Sequence, residues 1–237
     1  STVQDCVAAC CTHGIFAGGA ALVEGCTAVN NTNTGIMVCQ ETIIRHCQAR
    51  NNGGDGISCG SAAIVENSIS QGNYKGFSTA YPNASFTECV ASGNESIGFD
   101  LGYYNRATRC TATGNLDGFR VTKANLIEQC TAAGNNLAGI RFYVGYSTAR
   151  ANIVESNNVN HATCSGLVVS SHGNVIEANN CANNYYAAVY VLAGYTNNTV
   201  IRNIMQGTGI VGNSSLNDIG PVGKAATATS PWANLQK

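Results

Sequence analysis

"LIEQCTAAGNNLAGIRF", residues 126–142, is a phrase that the chain says several times. It returns as "LVEGCTAVNNTNTGIMV" (22–38), "FTECVASGNESIGFDL" (86–101) and "ATRCTATGNLDGFRV" (107–121). Anchored on the cysteine, the repeat falls at Cys6, Cys26, Cys47, Cys89, Cys110 and Cys130, with Ser68 filling the gap, at spacings of 20, 21, 21, 21, 21 and 20 residues. Further on, the anchor slot is assigned to Asn157, Asn179 and Asn203, in "IVESNNV", "VIEANNC" and "VIRNIMQ". A second column marks a turn: Asn31, Asn52, Asn73, Asn94, Asn115 and Asn135. A third follows a glycine, or Ala188 in one coil: Ile15, Ile36, Ile57, Phe77, Phe99, Phe119, Ile140, Leu167, Val189 and Ile210. An apolar pair precedes each anchor, from Leu22 and Val23 to Val200 and Ile201, with Ile153 and Val154 counted among them.

A unit this short holds no helix pair, and it shows no 3.6-residue stripe. It shows short alternating runs broken by Gly and Asn, the mark of strands joined by turns. One such coil cannot bury its apolar side alone, so coils stack and their strands pair in parallel about 4.8 Å apart. Like residues then lie above one another. Small Cys and Ala fill one inner corner, Ile and Phe line the opposite wall, and turn asparagines bond to their neighbours in a ladder. The expected fold is all-β: a single-stranded parallel β-helix of about ten coils over residues 1–213, a rod about 45 to 50 Å long. Residues 214–237 form a tail.

These features resemble the bacterial right-handed parallel β-helix proteins with short repeats in the pectate-lyase-like superfamily. The resemblance rests on the Asn-Ile-Asn phrasing, the turn asparagine and Gly-Ile, and it covers nearly the whole chain. The tail "NDIGPVGKAATATSPWANLQK" is similar to the endings of a secreted subgroup from environmental bacteria that close on a P-W-A-N phrase. The resemblance implies an extracellular or cell-surface protein. It leaves activity open, because lyases, epimerases, hydrolases and phage spikes share the fold.

Composition narrows the partners. Charged residues make up 11% of the chain and the net charge is -1, so no basic stripe invites nucleic acid. No apolar run approaches the length of a membrane span, and "STVQDC" does not read as a leader. No cofactor is called for. The twelve cysteines allow disulfide or metal readings, and spacing decides between them and buried thiols. Cysteines one coil apart stand about 4.8 Å apart at Cβ, too far for a disulfide. No C-x-x-C pair provides a zinc site, which leaves buried thiols for the anchor column and no metal site. Cys10, Cys11 and His13 in "CCTH", with Cys39, Cys59 and Cys164, stand outside that column.

With a packed interior, function belongs on an outer face. After the turn glycine the outward column reads Phe16, Met37, Ser58, Ser78, Asp100, Arg120, Arg141, Val168, Tyr190 and Val211. Asp100, Arg120 and Arg141 fall on consecutive coils, and nearby loops add Tyr103, Tyr104, Lys123, Tyr143, Tyr146, His172 and Tyr195. Arginine pairs with uronate carboxylates and tyrosine covers sugar rings, so this face suits an acidic polysaccharide. The plain alternative is a solvated charge ladder. A second outer column, Glu24, Arg45, Glu66, Thr87, Arg109, Glu128, Glu155, Glu177 and Arg202, reads as sheet stabilisation, with three successive glutamates as its anomaly.

Two functions stay open. One is a rigid β-helix, structural or carbohydrate-binding, without catalysis. The other is a lyase or epimerase on a uronate polymer. Such an enzyme needs a charge neutraliser and a base, and Arg120, Arg141, Lys123 and Tyr143 are the residues available. No acidic cluster for calcium is present, the Asp-Pro-His phrase of related epimerases is absent, and Asp55, Asp100 and Asp117 stand apart with Asp55 in a turn. At the ends, the tail with Pro221 and Trp232 is expected to cap the rod, Trp232 partly buried against it, while "STVQDCVAACC" enters in mid-coil and is expected to leave an open edge for self-association, end to end or side by side.

Overall fold

A computed structural model describes residues 1–158, 165–212, 214–224 and 230–237; Cys164 and Asn213 lie outside the described residues. The chain winds as a parallel β-helix of about ten coils, each contributing one short strand to each of three sheets. The first sheet starts with Thr2–Gln4, Leu22–Glu24 and Ile43–Arg45, the second with Val7–Ala9, Thr27–Val29 and Gln48–Arg50, and the third with Ile15–Ala17, Ile36–Val38 and Asp55–Cys59. Among the described residues every pairing is parallel, and before the tail each joins one coil to the next, as in Leu22 to Ile43 to Ile64. The only helical element among the described residues is the short turn Ser214–Leu216.

Stacking in register explains the repeated phrase. Phe77, Phe99 and Phe119 pile up with ring centroids 4.8 Å apart and planes within 8°, the spacing of the strands that carry them. Phe86 closes on the first two edge-on, at 5.9 and 6.0 Å. The glycine before this column has a steric cause. A Cβ at Gly35 would come within 2.7 Å of both the Asn52 amide and the Gly56 carbonyl, and Gly76, Gly98 and Gly118 meet the same obstruction.

Side-chain ladders run through the corners. At the turn into the third sheet, the backbone N–H of Asn31 donates to Asn52 Oδ1 at 3.1 Å, and the chain of bonds continues through Asn73, Asn94, Asn115, Asn135, Asn157 and Asn184. Between the first and second sheets stand Cys26, Cys47, Cys89, Cys110 and Cys130, all buried. Asn152, Asn179, Asn203 and Asn234 then take over. A third ladder, which the repeat count did not reveal, runs through Asn105, Asn125, Ser147, Asn174, Asn198 and Asn217.

One coil departs from the sequence reading. Asn157 belongs to the turn column, and Asn152 holds the anchor slot. The insertion "YVGYSTARAN" lengthens the path from the turn column to the anchor, from 15 residues between Asn115 and Cys130 to 17 between Asn135 and Asn152. The first-sheet strand of this coil is Thr148–Arg150, and the "IVE" of Ile153–Glu155 lies in the second sheet. Arg150 therefore sits between Glu128 and Glu177, with its Nε 2.7 Å from Glu128 Oε1, and the run of three glutamates disappears. Arg109 and Arg202 fall one residue beyond this column, at positive-φ turn positions, where Thr108 and Ile201 take the registered places.

The tail joins the sheets. Asp218–Ile219 extends the first sheet. Asn234–Gln236 pairs with Ile204–Met205 on one side and with Val222–Lys224 on the other, so the last strand in sequence is inserted beneath an earlier one. Asn234 ends the anchor ladder by accepting from Asn203 and donating to the carbonyls of Val200 and Gly220. Trp232 remains 52% exposed and lies beside the rod, its ring 4.7 Å from the Arg202 guanidinium carbon.

Asn179→Leu removes the acceptor of the Asn152 N–H and the donor to the Ala149 carbonyl. The expected cost is about 1 to 3 kcal/mol, read from urea denaturation; unchanged stability would remove the ladder from the energetics. The eleven described cysteines are free, and burial pushes the Cys47 thiol up to about 11 and those of Cys59 and Cys181 up to about 12. A thiol reagent should label exposed Cys6, Cys10 and Cys11 in the native protein and the buried thiols only after denaturation without reductant.

Candidate functional site

Alternation along each third-sheet strand turns one residue inward and the next outward. The register links Phe16, Met37, Ser58, Ser78, Asp100, Arg120, Arg141, Val168, Tyr190 and Val211 in one column on successive strands. A shorter column runs beside it through Asp55, Lys75, Ile97 and Asp117. Asp55 opens the strand Asp55–Cys59 rather than lying in a turn.

The charged groups of this face are tied together. Arg120 grips Asp100 with two donors, Nε to Oδ1 at 2.8 Å and Nη2 to Oδ2 at 2.5 Å. Lys75 Nζ donates to the same Oδ2 at 2.8 Å. Ser78 Oγ donates to Asp55 Oδ2 at 2.5 Å. One coil further on, Arg141 Nη2 donates to Asp117 Oδ1 at 3.0 Å, and the Ala138 N–H donates to the same oxygen. Burial raises the pKa of Asp117 above the usual aspartate value and outweighs the opposing pull of Arg141.

Two hollows open on the face. One, of about 410 Å³, is bordered by Phe16, Met37, Cys39, Gln40, Ser61 and Tyr81. The other, of about 380 Å³, is bordered by Asp55, Lys75, Ser78, Asp100, Tyr103 and Arg120. Both share Ser58, Cys59 and Tyr81. They form one trough across six coils, about 24 Å from Phe16 to Arg120 at a strand spacing of about 4.8 Å.

The residues singled out from sequence divide into groups. Asp100, Arg120 and Tyr103 line the trough. Tyr143 lies against Arg120, its ring centroid 6.0 Å from the guanidinium carbon. Arg141 stands beyond the trough on Asp117. Lys123 ends the strand Asp117–Lys123 and does not border either hollow. Tyr104 and Tyr146 are exposed turn residues with positive φ. His172 Nδ1 accepts from the Thr196 N–H at 3.0 Å, and its ring meets Tyr195 edge-on at 5.2 Å. Tyr190 meets Tyr186 in the same way at 5.3 Å. None of these last residues borders the trough. The sequence placed Ser78 in the outward column without making it a site residue, and it did not select Asp55, Lys75 or Tyr81 for the site; counting back two residues from Ile57 and Phe77 would have aligned Asp55 and Lys75. Among the described residues, no group of three His, Cys, Asp or Glu side chains is placed to hold a metal ion.

The family model described as "Right handed beta helix region" matches residues 44–164, and the chain belongs to that family. No curated protein matches the sequence. Among solved structures, the A-module of the Azotobacter vinelandii mannuronan C-5 epimerase AlgE4 superposes with a TM-score of 0.66 at 18% identity, over 92% of this chain and 64% of that one. Pectate lyase Pel9A gives 0.60 at 19% identity, over 92% and 60%. The Dettilon tailspike protein gives 0.56 at 16%, over 84% and 48%. The chain thus spans about half to two thirds of these structures, and at such identities the likeness is one of fold.

Asp117 carries a pH signature. A carboxyl whose pKa is raised by folding makes the folded chain bind more protons than the unfolded one, so stability falls as pH rises through and above the ordinary aspartate range, about 4. Asp117→Asn lacks that titration. Its stability relative to the parent should rise between about pH 4 and neutrality in urea denaturation; a difference that does not change with pH would remove burial as the governing influence.

Proposed function

We propose that the protein is an extracellular or cell-surface β-helix that binds an extended polysaccharide along the third-sheet trough, without catalysis of its own. The observation that carries this reading is the trough itself: hydroxyls of Ser58 and Ser78, paired charges, and Tyr81 and Tyr103 at its border. Sugars are recognised by such convergent hydrogen-bonding groups beside aromatic surface. The parallel strands hold these groups in place before any ligand arrives, which lowers the ordering cost of binding. Fold relatives named for mannuronan and pectate chemistry support the substrate class.

The charge balance bears on the kind of polymer. Asp55 and Asp100 stand against Lys75 and Arg120, and both cations are engaged by Asp100. This arrangement favours a hydroxyl-rich polymer over one selected for negative charge. It also weighs against a lyase or epimerase. Arg120 is held by Asp100, Arg141 by Asp117, and Lys123 does not border the trough.

The test is affinity electrophoresis and calorimetry on neutral and uronate polysaccharides, with absorbance of unsaturated products followed in parallel. Retention on at least one polymer without such products is expected. Ser78→Trp, which fills the trough floor, should weaken binding at least about tenfold, a loss of about 1.4 kcal/mol, with melting measured alongside because Ser78 is buried and bonded to Asp55. Retention on no polymer, or full retention by Ser78→Trp, would sink the proposal.

A further inference from the structure

The trough is not uniform along its length. The end that reaches the first coils has no charged residue on its border. Phe16 and Met37 project outward there on adjacent strands, and Phe16 is 65% exposed. Cys39 and Tyr81 complete the apolar side, while Gln40 and Ser61 bring an amide and a hydroxyl. The other end holds all four charged groups, Asp55, Lys75, Asp100 and Arg120. The two ends meet at Ser58, Cys59 and Tyr81.

Glycine keeps the apolar end open. A Cβ on Gly60 would lie 2.6 Å from the Cys39 carbonyl carbon and 2.7 Å from the Gln40 nitrogen. Only a residue without a side chain lets the backbones of these two coils approach and leaves the hollow of about 410 Å³ beside them.

The C–H face of a pyranose stacks on an aromatic ring such as Phe16 or Tyr81, but its hydroxyls find no partner on Phe16 or Met37. Covering them with polar groups removes water from both partners and leaves hydroxyls without hydrogen bonds. An apolar substituent changes the balance, because its burial and theirs occur together. The polar groups at this end refine the choice. Gln40 Nε2 and the Ser61 hydroxyl are donors suited to a carbonyl oxygen, which an ester carries and a plain methyl group does not.

We propose that the apolar end of the trough is a subsite for the acyl group of an O-acylated polysaccharide, with sugar hydroxyls of the same chain reaching Ser58, Ser78 and Asp55. This inference rests on the carbohydrate reading above and adds the substituent that sets specificity. Phe16 and Met37 line the acyl group, and the donors of Gln40 and Ser61 face its carbonyl.

The experiment uses partly O-acetylated glucomannan and partly O-acetylated alginate, each against its own alkali-deacetylated form, with calorimetry on the full chain. The parent protein should bind the acetylated form of at least one polymer about tenfold more tightly than the deacetylated form. Met37→Gln and Phe16→Ser, both surface changes checked by melting, should abolish that preference by lowering affinity for the acetylated form to that for the deacetylated one. Equal binding of both forms, or a preference that survives both substitutions, overturns the acyl subsite and leaves the carbohydrate reading standing. Binding to no polymer in either form overturns both.

Discussion

The structure depends on one constraint: backbone groups buried in the corners of a stacked coil must find partners in the coils above and below. With strands about 4.8 Å apart, a side chain in one coil can reach only its counterparts in the adjacent coils. Asparagine suits this geometry because it carries an acceptor and donors on one short side chain. Asn115 Oδ1 takes the Asn94 N–H, while its Nδ2 donates to the Ala91 carbonyl and to Asn135 Oδ1. Each rung therefore satisfies groups on both sides, and an interrupted rung leaves buried polar atoms exposed to the full desolvation cost.

The change from cysteine to asparagine along the anchor corner follows from the same requirement. Cys110 Sγ and Cys130 Sγ donate to the carbonyls of Phe86 and Ala107, both at 3.4 Å. Asn152, Asn179 and Asn203 donate to the carbonyls in the corresponding places at 3.0 Å. Both residue types fill a small buried volume and reach the same backbone group. Asparagine adds a strong acceptor for the N–H of the preceding rung, where cysteine has only a weak one, as between the Cys110 N–H and Cys130 Sγ at 3.3 Å. Burial keeps these thiols from acting as nucleophiles, which places chemistry and recognition outside the rod.

On the outside, the frame turns sequence positions into straight columns. The trough exists because those columns change in character from coil to coil, from Phe16 and Met37 through Ser58 and Ser78 to Asp100 and Arg120. Asp100 organises the polar end by holding Arg120 and Lys75 at once. Arg120 is further steadied by the Tyr143 ring. A surface built this way is rigid and extended, the form that a polymer chain can follow.

Sequence alone determined the coil, its period, the inner Phe column and the outward column from Phe16 to Val211, because stacking in register imposes the same residue type at the same place in each turn. It erred at Asn157 and Glu155. A local likeness between "IVE" and "LIE" carries no information about which sheet a strand enters, and the first-sheet place in that coil is already taken by Thr148–Arg150. The third ladder escaped because asparagine enters its corner only from Asn105 onward, after Ala21, Thr42, Ala63 and Ala84, and Ser147 interrupts it. Tertiary structure decided the trough and its pairings. Lys75 meets Asp100, and Ser78 meets Asp55, across neighbouring coils, through the lean of side chains that a column of letters does not contain. The insertion of Asn234–Gln236 beneath Val222–Lys224 is of the same kind, since the free partner edge exists only once the rod has formed.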